Sequence, residues 1–192
     1  MEHDFKIAVI GLGLIGGSMA YALRGFRNGR ITGCDINPEI RAQALRERAV
    51  EQVFDNPGDA IEDADLVILC TYPDRIPGLA SENRDRFKPG AVVTDVCGVK
   101  TGVARSLRGV LPKDVDYVGG HPMAGKEVEG FENASPELFW MTGFIITPVE
   151  GSKQESIDLI YEMAHYIGAT RITLAAPEEH DAVIAYTLSL IH

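Results

Sequence analysis

The segment "KIAVIGLGLIGGSMAYAL", residues 6–23, restricts the fold of this chain more than any other. A β-branched apolar run leads into Gly11, Gly13 and Gly16 in GxGxxG register, and the apolar residues that follow have helical spacing. A strand, a glycine turn and the opening of a helix is the arrangement that receives a dinucleotide. Gly11 permits the tight turn, Gly13 lets backbone approach a pyrophosphate, and Gly16 lets helix and strand pack closely. Leu14 and Ile15 open the helix, whose N–H groups and positive dipole end suit phosphates. Asp35 closes the next apolar run 24 residues after Gly11, near the offset expected for an acid that binds ribose hydroxyls. A carboxylate there repels a 2′-phosphate, so the expected cofactor is NAD rather than NADP. A plain glycine-rich turn with a surface acid is the competing reading.

The remaining chain repeats this rhythm. Residues 30–35, 65–71, 91–96, 115–120, 143–149 and 171–174 read as strands, several apolar throughout, as expected when both faces of a parallel sheet are covered. Helices are expected from Leu14 to about Arg27, from Asn37-Pro38 with Asn as N-cap, over "KTGVARSLRGVL", and over "SKQESIDLIYEMAHYIG" ending at Gly168. The expected fold is therefore α/β, a doubly wound, mostly parallel sheet of Rossmann type. The final stretch, "PEEHDAVIAYTLSLIH", begins with Pro177 and two acids and becomes apolar without a C-cap. The expected division is residues 1–175 as the NAD-binding domain and 176–192 as the first part of a helix linking to a helical second domain.

Charge narrows the partners. At a formal net charge of −10 the chain repels nucleic acid and anionic membrane, and no apolar run approaches the roughly 20 residues of a membrane span. No basic leader precedes an apolar stretch, and Cys34, Cys70 and Cys97 have no CxxC spacing. Small buried thiols in a cytoplasmic protein are expected, without a metal role.

The stretch "GGHPMAGKEVEGFENA", residues 119–134, is where chemistry is expected. The strand before it carries His121 to a carboxyl end, the edge at which open parallel sheets bind ligands. An imidazole of ordinary pKa near 6.5 suits removal of an alcohol proton at neutral pH. Pro122 stiffens the exit, Gly125 admits a ligand close to the backbone, and Lys126 supplies positive charge.

These segments together carry a resemblance. "GLGLIGGS", "TDVCGVK", "GGHPMAGKEVEGFENA" and "HDAVIAYTLSLIH" stand in the order and spacing of the prephenate/arogenate dehydrogenase family of tyrosine biosynthesis. The resemblance implies oxidative decarboxylation with NAD. The ring carbon bearing the 4-hydroxyl gives up hydride, the hydroxyl loses its proton to His121, and CO₂ leaves as the ring becomes aromatic. It implies prephenate or arogenate as the small-molecule substrate, contacts from His121, Gly125 and His192, and a homodimer formed through a C-terminal domain. This chain departs from the family at Gly98, where a serine is common, so that help would come from Ser18, Thr101 or water. It also departs in "LSLIH", which keeps only His192 of the closing motif.

Other positions have two readings each. Asp95 and Lys100 flank a turn and either position the nicotinamide or form a loop salt bridge. Thr71 and Tyr72 follow a strand and lie either against the cofactor or in a plain turn. His180 and Asp181 take a site role by resemblance, against a solvated histidine and a helix cap. At about 100° per residue, His180 and His192 diverge by about 120°, so one cluster of His180, Asp181 and His192 is not expected. Rival functions are a β-hydroxyacid-type dehydrogenase, which has no use for "HPMAG", and a non-catalytic NAD-sensing module, suggested by Gly98.

Overall fold

A computed structural model of the protein describes residues 4–189. Its centre is an eight-stranded sheet in the order β3-β2-β1-β4-β5-β6-β7-β8. The strands are β1 (Lys6–Ile10), β2 (Arg30–Cys34), β3 (Gln52–Phe54), β4 (Leu66–Leu69), β5 (Val92–Asp95), β6 (Asp116–Pro122), β7 (Gly143–Pro148) and β8 (Arg171–Leu174). The first six are parallel, β7 runs antiparallel to β6, and β8 runs parallel to β7. The order 3-2-1-4-5-6 is that of dinucleotide-binding sheets, with the topological switch between β1 and β4.

The central strands β1 and β4 are apolar because both faces are covered. Ile7 and Val9 enter one buried cluster with Leu66 and Ile68, while Ala8 and Ile10 enter a second with Val67 and Leu69. That alternation is the two-residue period of a strand expressed on two cores. Helices α1 (Leu14–Ala22) and α6 (Gln154–Tyr166) supply the first cluster. Helices α3 (Pro57–Ile61), α4 (Ile76–Glu82) and α5 (Thr101–Val110) supply the second.

Helix α2 (Pro38–Arg46) begins as expected, with Asn37 accepting a hydrogen bond from Glu39 N–H. The expected first helix ends early, at Ala22, because Gly25 takes a left-handed φ of 83° and a 3-10 turn follows over Phe26–Asn28. Strand β3 and helices α3 and α4 add elements beyond the expected set. Gly168, at φ 100°, follows the end of α6 and lets the chain turn into β8. Helix α7 (Pro177–Ser189) packs back onto α5 and β7.

Candidate active site

The first glycine turn lies at the topological switch, fastened to both neighbouring strands. Gly11 N–H donates to Cys34 O at 2.8 Å, and Cys70 N–H donates to Ile10 O at 2.7 Å. A Cβ on Gly16 would stand 1.8 Å from Gly11 O, so only glycine allows this helix to approach this strand. Gly13 is different: a Cβ there would meet nothing within 4 Å, and no side chain caps the N-terminus of α1. The turn therefore presents bare backbone and an unblocked helix dipole to open space, which fits a pyrophosphate. Leu14 and Ile15 are half-buried and pack on the core beside it.

Asp35 stands just beyond β2. Its Oδ2 accepts from Leu12 N–H and its Oδ1 from Asn37 N–H, each at 2.8 Å. The acid is thus fixed to the glycine turn while keeping lone pairs for ribose hydroxyls. Thr71 is half-buried and Tyr72 is 71% exposed, both beyond the carboxyl end of β4.

The second half of the edge is assembled from side chains. His121 is the penultimate residue of β6, inside the strand rather than in its exit loop. Its Nδ1 lies 2.8 Å from His180 Nε2, and His180 Nδ1 lies 2.9 Å from Asp181 Oδ1. Asp181 also accepts from Lys100 N–H at 2.8 Å and Thr101 N–H at 2.9 Å. It thereby caps α5, a neighbouring helix, in addition to engaging the histidine before it. His121 Nε2 faces Gly98, where an added Cβ would stand 3.6 Å from it and meet nothing else but the ring's Cε1 within 4 Å. One ring nitrogen is taken and the other borders open space.

Burial pushes the His121 imidazole down to about 4, helped by His180 and Lys100 and opposed by Asp95 and Asp181. Burial raises Asp181, but donors from Thr101, His180 and Lys100 outweigh it and hold the carboxyl at about 2. At neutral pH the site therefore holds a neutral imidazole with a carboxylate behind it.

Several of the expected roles meet the structure here. Asp95 is fully buried, ion-paired with Lys100, and accepts from Cys97 N–H at 2.9 Å and the Tyr117 hydroxyl at 2.6 Å. Both carboxylate oxygens are engaged in the interior, so Asp95 supports the turn from below and presents no oxygen to a cofactor. Lys126 sits on an exposed loop without a hydrogen bond or ion pair among the described residues, and its charge is felt at Glu137. The lysine beside His121 is the fully buried Lys100, which donates to Gly120 O at 2.6 Å. His180, 1% exposed, is not solvated. Neither proposed substitute for the missing serine is free to act as one. Ser18 is fully buried and accepts from Ser135 N–H at 3.0 Å, and Thr101 engages Asp181 through both its N–H and its side chain. Gly125 is exposed in the same loop as Lys126, and His192 lies outside the described residues.

That loop returns to the nucleotide half. Phe131 is buried against Gly17 of α1, where an added Cβ would stand 2.7 Å from its ring, and lies 5.7 Å from the Tyr21 ring. The segment after His121 is thus clamped to the helix that opens at Gly13. His180 is the residue that sequence reasoning undervalued. Its signal was the His-Asp pair that opens "HDAVIAYTLSLIH", given a site role by resemblance, and nothing local connects it with His121, 59 positions earlier.

Comparison with known proteins agrees with the nucleotide-binding fold. Residues 19–173 match the family described as "Prephenate dehydrogenase, nucleotide-binding domain". Cyclohexadienyl dehydrogenase of Zymomonas mobilis is 35% identical over 97% of this chain and 63% of its own length. The crystal structure of Synechocystis arogenate dehydrogenase superposes with a TM-score of 0.88 at 29% identity, covering 95% of this chain and 64% of that one. A prephenate dehydrogenase from A. aeolicus, solved with hydroxyphenyl propionate and NAD⁺, gives a TM-score of 0.85 at 27% identity, covering 98% and 68%. The chain therefore spans about two thirds of the length of these relatives. Among the described residues no helix is long and apolar enough to cross a membrane.

Proposed function

The chain belongs to the prephenate dehydrogenase family, and from that membership we propose that it binds NAD and serves the oxidative decarboxylation of prephenate to 4-hydroxyphenylpyruvate. The observation that carries this reading is the pairing of an open glycine turn with a histidine whose Nε2 borders open space on the same sheet edge.

NAD, when bound, supplies the hydride acceptor. The chain's own residues do the rest. Gly11, Gly13 and Gly16 leave backbone bare for the pyrophosphate, Leu14 and Ile15 start the helix whose dipole faces it, and Asp35 takes the ribose hydroxyls. Thr71 and Tyr72 border the same edge. His121, neutral because it is buried, accepts the proton of the substrate's ring hydroxyl at Nε2 as hydride leaves the same carbon. Loss of CO₂ then drives electrons onto the ring oxygen, and the imidazolium returns its proton to the phenolate. Acid and base are one residue, and no net proton is released.

Arogenate is the alternative substrate, differing in the side chain rather than in the ring chemistry that His121 serves. Residues 176–192 are read as the start of a helix into a second, helical domain, through which a cytoplasmic homodimer forms. The test is turnover of prephenate, arogenate and 3-hydroxy acids with NAD⁺ by protein that carries its second domain. Prephenate turnover that falls by at least about 10²-fold in His121→Asn, with NAD⁺ still bound, supports the reading. Near wild-type kcat in that variant defeats it. Gly98 favours one other reading, a module that binds NAD without catalysis, which predicts binding but no turnover of any of these substrates.

A further inference from the structure

Behind His121, outside the cofactor turn, stand the buried His180 and the half-buried Asp181. We infer that His180 and Asp181 are positioning residues that hold His121 with its proton on Nδ1, leaving Nε2 as the accepting nitrogen. This rests on the reading of His121 as base, and it follows from the direction of each hydrogen bond.

The Asp181 carboxylate takes N–H donors from Lys100 and Thr101 on its two oxygens, which suits the ionised acid, an acceptor only. His180 Nδ1, 2.9 Å from Oδ1, must then be the donor. A neutral His180 carrying its proton on Nδ1 has a lone pair on Nε2, and that lone pair faces His121 Nδ1 at 2.8 Å. His121 therefore donates from Nδ1, and its Nε2 is unprotonated on the side open at Gly98.

The opposite polarity requires a cationic His180 donating to His121, which would put the His121 proton on Nε2 and remove the base. His180 is 1% exposed, and Lys100 already places a positive charge in the cluster, so the neutral chain is favoured. The groups facing His121 are His180, Lys100, Asp95 and Asp181. When Nε2 accepts a proton from a hydroxyl oxygen, the new cation donates through His180 toward Asp181. The carboxylate thus orients the ring and compensates its charge, acting through another residue.

The test reads tautomers directly. Long-range ¹⁵N–¹H spectra of this chain at pH 7, with the histidines assigned by single substitution, are expected to show protonated Nδ1 and bare Nε2 on both His121 and His180. In Asp181→Asn the amide cannot accept at both oxygens' positions, so His180 reverses or mixes its tautomers and His121 follows. In His180→Leu, His121 moves toward Nε2–H. A structural role alone would leave these patterns unchanged in any variant that folds. The wild-type spectrum needs no variant: His121 found with its proton on Nε2 overturns the inference. In protein with its second domain, Asp181→Asn should lower kcat by roughly 10²-fold while KM for NAD⁺ stays the same. The expected tautomers with no prephenate turnover would support this inference and sink the substrate assignment instead.

Discussion

The two halves of the carboxyl edge are built from different materials. Around β1, α1 and β2 the site is backbone, with glycines that make room, an uncapped helix end and one acid tied to the turn. Around β5, β6 and α7 it is side chain: His121, His180, Asp181, Lys100 and Asp95, joined by contacts between residues up to 81 positions apart. The first half needs only local geometry to be right. The second needs the whole sheet and the return of α7. The halves should therefore fail differently, the first by steric exclusion and the second through uncompensated charge.

The largest failure is expected at Gly16. Its added methyl would collide with Gly11 O, a backbone atom that cannot rotate away. Gly16→Ala should cost more than about 3 kcal/mol and remove nucleotide binding together with cooperative unfolding, read by denaturant titration. Lys100→Met comes next. It leaves the Asp95 carboxylate fully buried without its cation, which costs about 3–5 kcal/mol. Adding Asp95→Asn should recover part of the loss, since a neutral amide no longer demands a partner. If Gly16→Ala is tolerated while Lys100→Met is lethal, the division between a steric half and an electrostatic half is drawn in the wrong place.

The same division explains what could be read in the chain. Gly11, Gly13, Gly16 and Asp35 were legible because their meaning depends on spacing along one strand, one turn and the next strand. The central strands were legible because burial on both faces makes them apolar throughout, as in β1 beyond Lys6 and in β4. Strand β3 was not, being three residues long with little apolar pattern, nor were α3 and α4, which are short and contain internal glycines. His121 could be placed at a strand end. Its partner could not, since helical geometry relates residues within α7 and says nothing about a contact with β6. Lys126 drew notice by standing near His121 in sequence, whereas the lysine whose charge is felt at the imidazole, Lys100, comes from the neighbouring strand's exit turn.

A smaller effect tests the electrostatic half through pH. His121 is held at about 4 when folded, against an ordinary value near 6.5, first by burial and then by His180 and Lys100. Between those values the unfolded chain binds a proton that the native protein does not. Stability should therefore fall as pH drops from about 6.5 to about 4, by about 2 kcal/mol once partial solvent screening is allowed for. His121→Gln should flatten that part of the profile, measured as midpoint against pH by urea titration. Equal slopes in both proteins would show that the imidazole titrates as in water and that its surroundings do not hold it neutral.

The smallest effect on folding should be the most telling about function. Gly13 has φ −71° and ψ −159°, angles open to any residue, and an added Cβ would touch nothing within 4 Å. Gly13→Ala should therefore change stability by less than about 1 kcal/mol. A methyl group there still projects into the open space beside the glycine turn. If that space receives a pyrophosphate, NAD⁺ affinity should drop by about tenfold or more, measured by calorimetric titration. A residue irrelevant to folding but decisive for the ligand is what a backbone-built cradle predicts. Unchanged affinity in Gly13→Ala would mean that the phosphates lie elsewhere and that the open turn is only a turn. The contrast with Gly16 makes this reading sharp, since the two glycines stand three positions apart and only one of them has protein atoms in its way.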